Sequence, residues 1–366
     1  MSGTGSCSSA SAAGSSRPPA AAGGSGSGTA AGGSGAANMA AEEAQLPASR
    51  LQLTEVETTA VMVALFRSLA AAVVARPDGS PYYDGSYDTA IVDACLPASE
   101  RAALMTGHAV SMLPFIAVRT AAVDRHLLAA LWGSGGGGGG GDASSTAAAT
   151  PAASTSGRGM GGGGAVRQVV LIGAGLDARA WRLPLPCDGG TAGAEGGCTT
   201  VYELDSGAVE ALKARVLGPL PPGGRRRVFA AVDLAAPGQA LASLAAAGHD
   251  PHRPTAFVAE GLIGYLMTAA GDALLSGLRS IAAPGSVLLL TTPPSPAWRD
   301  ELAAQGAKLH HVTYEEAEET LARARAAGWE AELERADALA TRYGVPGSRF
   351  ELIIGRVGAH GPEEPA

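Results

Sequence analysis

The 366-residue sequence predicts an α/β fold in which a helical N-terminal part precedes a mostly parallel β-sheet. Before residue 133, apolar residues recur at helical spacing. After residue 165, continuous apolar runs alternate with helical stretches, which is typical of parallel strands that are buried and joined by crossover helices. The two patterns together predict a buried parallel sheet with a separate helical layer before it.

The helical layer begins with a stretch of apolar residues that ends at Pro77-Asp78-Gly79, a sequence that stops a helix. Three further helices follow it before a glycine-rich break. The four predicted helices cover residues 54–75, 87–95, 99–112 and 118–132.

The sheet is predicted from six apolar runs, of which the last is expected to be antiparallel. The predicted strands cover residues 166–172, 199–204, 228–232, 255–259, 287–292 and 350–357. The predicted helices between them cover residues 208–217, 238–247, 269–282 and 313–327.

Two segments cannot build a core. Residues 133–164 contain a seven-glycine run and are expected to be a flexible linker. Residues 1–45 are rich in Ser, Ala and Gly and carry a single basic residue, so we expect a disordered tail, with a plastid transit peptide as the alternative. The predicted organisation is therefore a tail (1–45), a helical cap (46–132), a linker (133–164), an α/β domain (165–358) and a second tail (359–366).

The composition argues against several kinds of partner. A net charge of −8 disfavours a nucleic-acid-binding surface, and the basic run Arg225–Arg227 is expected to be a solvated turn. The best apolar stretch contains Arg67 and is interpreted as a buried helix, so we expect no membrane contact. The four cysteines form no CxxC pair, which predicts no metal site and a reducing, cytoplasmic location, with the plastid as the alternative.

One turn carries a candidate ligand site. The run from Gln168 to Ala178, QVVLIGAGLDA, is a strand that turns through Gly173 and Gly175 into a helix. Such a turn lets backbone N–H groups approach a ligand without a side chain in the way. The spacing also fits the dinucleotide pattern G-x-G-x-x-A, so an NAD site remains open at this point.

Three acids end three successive predicted strands. Asp205 would face the two ribose hydroxyls of a nucleoside, while Asp233 could accept a hydrogen bond from an adenine amino group and Leu234 could pack on the ring. Glu260 ends the fourth strand beside the same crevice. Three carboxylates suit a sulfonium ligand with an α-amino group, and they repel a pyrophosphate. The sequence therefore favours S-adenosylmethionine over NAD.

Several longer motifs follow one another along the chain. The first is VVLIGAGLDARAWRL at residues 169–183. Further motifs in the sheet part are VYELD at 201–205, AVDL at 231–234 and RPTAFVAEGL at 253–262, which runs on to Tyr265. The helical part contains TA at 59–60, followed by Arg67, and VRT at 118–120, followed by Asp124. GW at 328–329 and RYG at 342–344 lie near the end of the chain. In these motifs the chain resembles the leucine carboxyl methyltransferase-like family, and within it the bacterial branch of S-adenosylmethionine-dependent methyltransferases. The resemblance covers roughly residues 54–357, apart from the linker and a glycine-rich insert near 188–198.

The resemblance implies a role for single residues of the cofactor site. Arg119 would pair with the methionine carboxylate of the cofactor, a bidentate contact that guanidinium geometry favours. Gly173 and Gly175 would line the cofactor loop. Asp205 would hold the ribose, and Glu260 would lie near the amino-acid end of the cofactor.

The resemblance also implies that Asp233 and Leu234 hold the adenine end of the cofactor. It is weaker around the methyl acceptor, which Tyr265 would contact. Ala121–Val123, however, stand where the family usually has aromatic residues, and Gly207 replaces a usual proline. These departures concern the acceptor pocket more than the cofactor site.

The sequence thus predicts a class I methyltransferase fold, Rossmann-like, with a seven-stranded, mostly parallel sheet and a helical N-terminal cap. The predicted function is S-adenosylmethionine-dependent O-methylation of a carboxylate or hydroxyl on a small molecule or a protein C-terminus. An NAD-dependent oxidoreductase and a non-catalytic binding protein with this fold are the alternatives. Neither the methyl acceptor nor the oligomeric state follows from the sequence.

Overall fold

The computed structural model describes residues 55–105, 107–133, 166–187, 197–236, 238–304, 312–346 and 349–358. All of them belong to one compact unit, Gln45–Ala366. The predicted tails at both ends of the chain, and the predicted linker beyond Gly133, lie outside the described residues.

Four helices come first, as the sequence predicts. They are α1 (Glu55–Val73), α2 (Ser86–Cys95), α3 (Ala98–Leu104) and α4 (Gly107–Trp132). The sequence analysis predicts a break at residues 113–117, and this is wrong, because Pro114 lies inside α4. A proline removes one hydrogen bond from a helix, but Leu113 and Ile116 beside it are buried in the core and keep the helix continuous.

Seven strands follow and alternate with helices. The strands are β1 (Gln168–Ile172), β2 (Thr200–Asp205), β3 (Arg226–Ala231), β4 (Thr255–Ala259), β5 (Val287–Thr291), β6 (Glu330–Glu334) and β7 (Leu352–Arg356). The helices are α5 (Arg179–Arg182), α6 (Gly207–Leu217), α7 (Gln239–Ala246), α8 (Thr268–Ser280), α9 (Pro296–Ala304), α10 (Ala317–Ala326) and α11 (Ala336–Tyr343), with a 3₁₀ turn at Ile263–Tyr265. The sequence analysis gives no range for β6, α5, α9 or α11.

The strands form one sheet in the order β3-β2-β1-β4-β5-β7-β6. The first five strands of the chain are parallel, and β7 is antiparallel to both β5 and β6. This confirms the predicted fold class. The strand order reverses between β1 and β4, which is the position where open α/β sheets bind ligands.

Helices cover both faces of the sheet. Val169 and Leu171 of β1 pack in a core that includes residues of α4. Val170 and Ile172 pack in a second core, which contains residues of α7 and α8. Because both faces are buried, the four positions of β1 after Gln168 are all apolar, and the strand shows no alternation of polar and apolar residues.

The edge strand β6 is the part of the sheet that the sequence pattern does not reveal. Its sequence, Glu-Ala-Glu-Leu-Glu, is rich in a residue that is depleted in strands. β6 pairs with β7 alone, and Arg356 of β7 donates to the Glu332 carboxylate at 2.6 Å. Charged residues on an edge strand hinder pairing with another chain.

The helical cap lies directly against the turn that follows β1. Leu176 in this turn shares a small core with residues of α1 and α2 and with Val209 and Leu212 of α6. The Ala60 Cβ of α1 lies 3.5 Å from the point where a Cβ on Gly175 would stand. The cap therefore covers the end of β1 at the point of strand-order reversal.

The basic run Arg225–Arg227 is not a solvated turn, and this prediction is wrong. Arg227 lies on β3 and donates to the Glu203 carboxylate at 2.8 Å, while Arg225 donates to the Leu183 carbonyl at 2.8 Å. Glu203 is fully buried on β2. A buried carboxylate requires paired charges, and the neighbouring strand supplies one.

Among the described residues, no single helix is long and apolar enough to cross a membrane. The pair Ala98–Leu104 and Ala109–Trp132, bent by 94°, meets those criteria only when the two are joined. The same part of the chain contains no cluster of three or more His, Cys, Asp or Glu residues that could hold a metal ion.

Candidate functional site

The turn after β1, which we call the glycine bend (residues 173–175), is the centre of the candidate site. Gly173 and Gly175 have φ angles of +64° and +47°, which favour glycine. A Cβ on Gly173 would stand 2.9 Å from Leu262 Cδ1, which is closer than packed carbon atoms approach. The N–H groups of Gly173 and Ala174 donate to the Leu204 carbonyl at 2.9 and 3.1 Å, so the bend is fixed to the end of β2.

Asp205 at the end of β2 faces the glycine bend. Its Oδ2 accepts the Gly175 N–H at 2.6 Å, and its Oδ1 accepts the Ser206 N–H at 2.7 Å. The Val232 N–H donates to the Asp205 carbonyl at 3.0 Å and connects the end of β3 to the same place. Asp205 is therefore fixed to the glycine bend, and its predicted role toward the ribose stays a prediction.

Asp233 and Leu234 follow β3 and lie beyond this connection. Asp233 is exposed, and its Oδ1 accepts the Ala235 N–H at 2.9 Å, so the carboxylate caps a turn. The Leu234 side chain is half-buried and packs against the core that contains β1. The predicted role of Asp233 and Leu234 toward adenine stays a prediction.

Arg119 and Glu260 form a buried ion pair beside the bend. Arg119 of α4 donates through Nε to Glu260 Oε1 at 2.8 Å, and the two side chains are only 8% and 6% exposed. The Arg119 guanidinium lies over the Phe350 ring, 4.9 Å from its centre. It also lies beside Gly261, whose neighbour Leu262 contacts the bend. The sequence-predicted residues of the cofactor's amino-acid end thus lie next to each other.

The charge of Glu260 is determined by its neighbours. Burial raises the pKa of its carboxyl group, but the cations of Arg179, Arg119 and Arg67 lower it by more. The net result is a pKa far below the usual range, and Glu260 is ionised at neutral pH.

A buried ionic network surrounds this pair, and the sequence analysis did not assign it. Arg179 of α5 contacts Glu260 Oε2 at 2.6 Å, Asp124 Oδ1 at 2.7 Å, and the Asp177 carboxylate. Around it, Arg182 binds Asp124, and Arg67 binds Asp88 at 2.7 Å and the Leu176 carbonyl at 2.9 Å.

The network balances its charges. Its four arginines are Arg67, Arg119, Arg179 and Arg182, and its four acids are Asp88, Asp124, Asp177 and Glu260. The signal in the sequence is the set of charges in LDARAWRL, immediately after a buried strand. Charged side chains are almost never fully buried unless they are paired.

Tyr265 lies at the rim of this region, in the 3₁₀ turn after β4. Its side chain is 37% exposed, and Met267 beside it is also exposed. Burial raises the pKa of its hydroxyl, the Arg119 cation lowers it, and Tyr314 raises it again, with a net increase. The Tyr265 N–H donates to the Leu262 carbonyl at 2.8 Å, and the Leu262 side chain lies beside Gly173, so the turn connects Tyr265 to the glycine bend.

The sulfur atoms of Cys187 and Cys198 are adjacent, and the pair forms a disulfide. The two cysteines also form an isolated antiparallel bridge on either side of the glycine-rich insert. The insert itself, residues 188–196, lies outside the described residues.

Part of the chain matches a known family model. Residues 156–279 match the family model of leucine carboxyl methyltransferase, and the resemblance stated from the sequence is confirmed for this segment. A Mycobacterium sp. (strain KMS) protein, named by inference as an S-adenosyl-L-methionine-dependent methyltransferase, is 49% identical over 124 residues, or 33% of this chain and 37% of that protein. A similarly named Frankia alni protein is 44% identical over 139 residues, or 37% of this chain and 41% of that protein. The matches thus span about two fifths of the length of these relatives.

Among solved structures, a Thermobifida fusca protein described as an inferred methyltransferase is similar to this chain. The two are 16% identical, and the TM-score is 0.45. The match covers 81% of this chain and 94% of the other.

Proposed function

We propose that the protein is an S-adenosylmethionine-dependent methyltransferase whose cofactor lies across the glycine bend, between Asp205 and the Arg119–Glu260 pair. The family match over residues 156–279 supports the reaction class. The observation that carries the proposal is the hydrogen bond of 2.6 Å from the Gly175 N–H to Asp205 Oδ2. It joins the glycine bend to an acid at the end of the neighbouring strand, where a nucleoside is bound in folds of this type.

The described residues fit the nucleoside part of this cofactor. The left-handed φ angles of Gly173 and Gly175 shape a bend whose backbone lies beside the Asp205 carboxylate. Each oxygen of the Asp205 carboxylate accepts one backbone N–H. Because a carboxylate has about four acceptor positions, two remain for the two ribose hydroxyls.

The Arg119–Glu260 pair fits the amino-acid part. The methionine end of the cofactor carries one carboxylate and one ammonium group. An ion pair is complementary to such a zwitterion, since the guanidinium can exchange its partner for the ligand carboxylate and Glu260 can accept from the ammonium group. The two side chains face each other at 2.8 Å, so this exchange requires only a local movement.

A pyrophosphate fits the same place poorly. Dinucleotides are bound at a helix N-terminus with free N–H groups, but α5 has only four residues, Arg179–Arg182. The Arg179 N–H already donates to Asp177 Oδ1 at 2.7 Å. A short helix whose first N–H is already bonded disfavours the NAD alternative.

The protein's own contribution is alignment and exclusion of water. The cofactor supplies a methyl carbon that is already activated by a positively charged sulfur atom. Asp205, Arg119 and Glu260 would fix its two ends, and α1 covers the bend from the solvent side. Holding two reactants in one geometry is itself a large part of the catalysis of a displacement reaction.

For the acceptor, we propose a carboxylate or hydroxyl on a small molecule or a protein C-terminus, with Tyr265 at its binding site. Tyr265 is partly exposed, and its backbone is joined to Leu262, which lies beside the glycine bend. A carboxylate acceptor needs no general base, whereas a hydroxyl acceptor does.

The test of cofactor binding is isothermal titration of the full chain with S-adenosylhomocysteine and, separately, with NADH. We expect S-adenosylhomocysteine to bind and Asp205→Ala to abolish binding while the protein stays folded. Asp300→Ala is the matched control, because the Asp300 side chain is 70% exposed on α9, and we expect it to bind as the wild type does. Binding of NADH alone, or unchanged affinity of Asp205→Ala, contradicts the proposal.

The test of the acceptor is transfer of a radiolabelled methyl group to a cell extract. A carboxyl methyl ester is hydrolysed by mild alkali and releases volatile methanol, while a methyl ether is stable. Alkali-stable label would contradict a carboxylate acceptor. Cofactor binding without any transfer would favour a non-catalytic binding protein.

A further inference from the structure

Arg179 connects three parts of the candidate site. Its guanidinium contacts Asp124 on α4, Asp177 in the turn after the glycine bend, and Glu260 after β4. Its side chain is only 2% exposed. No residue of the cofactor site identified above lies on α5, so this arginine has no assigned role in the reaction.

We infer that Arg179 is a positioning residue, which holds Glu260 in place for the cofactor's amino group while Arg119 turns to the cofactor's carboxylate. The inference rests on the proposed function. It concerns cofactor affinity, and it assigns Arg179 no direct contact with the cofactor.

In the proposed complex, Arg119 exchanges its partner Glu260 for the carboxylate of the cofactor. In the structure each Glu260 oxygen has one cation, Arg119 at Oε1 and Arg179 at Oε2. When Arg119 binds the cofactor's carboxylate, Glu260 would lose one of these two partners in a buried place. An uncompensated buried charge is strongly unfavourable. Because Arg179 is held by Asp124 and Asp177 as well, it stays in position during the exchange.

Arg179 uses only one oxygen of the Glu260 carboxylate. Arg179 Nη2 and Glu260 Oε2 are 2.6 Å apart. Because a carboxylate has about four acceptor positions, Glu260 can accept an N–H from an ammonium group while it keeps its contact with Arg179.

The charge of the surroundings supports the same role. The groups that act on Glu260 from the elements around it are Arg67, Arg119, Arg179, Asp177 and Tyr83. The Arg179 cation lowers the pKa of Glu260 and so opposes the effect of burial, which raises it. Loss of this cation would therefore raise the pKa of Glu260. A protonated Glu260 can no longer balance an ammonium ion, so cofactor affinity would fall as the pH falls.

The experiment compares Arg179→Gln and Arg179→Lys with a matched control, Arg182→Gln. Arg182 lies one helical turn away on α5, is buried and binds Asp124, but it forms no ion pair with Glu260. The affinity for S-adenosylhomocysteine is titrated from pH 8 to pH 5.5, and thermal unfolding is measured without ligand. We expect Arg179→Gln to lose about tenfold or more in affinity, with a larger loss at low pH. Arg179→Lys should recover part of it, and Arg182→Gln should lower stability alone.

A double-mutant cycle separates positioning from general damage. If Arg179 acts through Glu260, adding Arg179→Gln to Glu260→Gln causes no further loss of affinity. Equal losses in Arg179→Gln and Arg182→Gln, or a pH-independent loss in Arg179→Gln, would overturn the inference. If Arg179→Gln does not fold, Arg179→Lys takes its place in the test. Wild-type affinity of Arg179→Lys for S-adenosylhomocysteine at every pH would support the role of the positive charge. A loss of affinity by Arg179→Lys as large as that of Glu260→Gln would contradict it. Failure of the wild type to bind S-adenosylhomocysteine would instead refute the proposed function.

Discussion

Substitution of Gly173 by alanine tests whether the glycine bend has the geometry described above. The φ angle of Gly173 is +64°, and an alanine there costs about 1–2 kcal/mol because its Cβ approaches the backbone in the left-handed region. The new Cβ would also stand 2.9 Å from Leu262 Cδ1. Overpacking of a core typically costs about 1–3 kcal/mol more. We therefore expect the free energy of unfolding to fall by about 2–5 kcal/mol.

Gly344→Ala is the matched control for this prediction. Gly344 ends α11 with the same φ of +64°, but nothing lies within 4 Å of its Cβ position. Only the backbone cost of about 1–2 kcal/mol applies to it. Urea unfolding measures both free energies, and S-adenosylhomocysteine titration measures binding. Equal destabilisation of the two variants would refute the described contact between the bend and Leu262. Unchanged binding of S-adenosylhomocysteine by Gly173→Ala would contradict the place of the bend in the cofactor site.

Two further predictions concern other parts of the molecule. Glu203→Gln should lower the free energy of unfolding by about 3–5 kcal/mol, because it breaks buried ion pairs with Lys213 and Arg227. Glu318→Gln, in an exposed ion pair, should have little effect on stability. Urea unfolding compares the two variants, and similar values would contradict the burial of Glu203. Tyr265→Phe should slow methyl transfer and keep the affinity for S-adenosylhomocysteine within about twofold, because the residue lies at the rim and not at the bend. A loss of cofactor affinity, without a change in the transfer rate at saturating cofactor, would count against an acceptor contact.

The sheet could largely be predicted because most of its strands are recognisable from their local sequence. Buried parallel strands are nearly continuous apolar runs, and β4 has the predicted bounds, Thr255–Ala259. The bounds of β6 could not be predicted, because an edge strand covered by charge lacks this pattern. Pro114 misled the analysis of α4 for a related reason, since the burial that keeps the helix continuous comes from the rest of the fold.

The candidate site divides in the same way. A strand, two glycines and an acid at the end of the next strand are close along parallel neighbours, so the approach of Asp205 to the bend follows from strand order. Asp233 follows the same rule in the sequence, but its carboxylate caps a local turn, as short acidic side chains often do. A pattern of strand ends therefore predicts where an acid lies, and it does not predict which backbone group the acid binds.

The sequence alone determined the α/β fold, the glycine bend and the position of the acids at the ends of the strands, because apolar periodicity and backbone restrictions act over a few residues. The tertiary structure alone decided the pairing of Arg119 with Glu260 and of Arg179 with Asp124, residues that are 141 and 55 positions apart. Buried charges require partners wherever packing brings them together, and a sequence names the charges without naming the pairs.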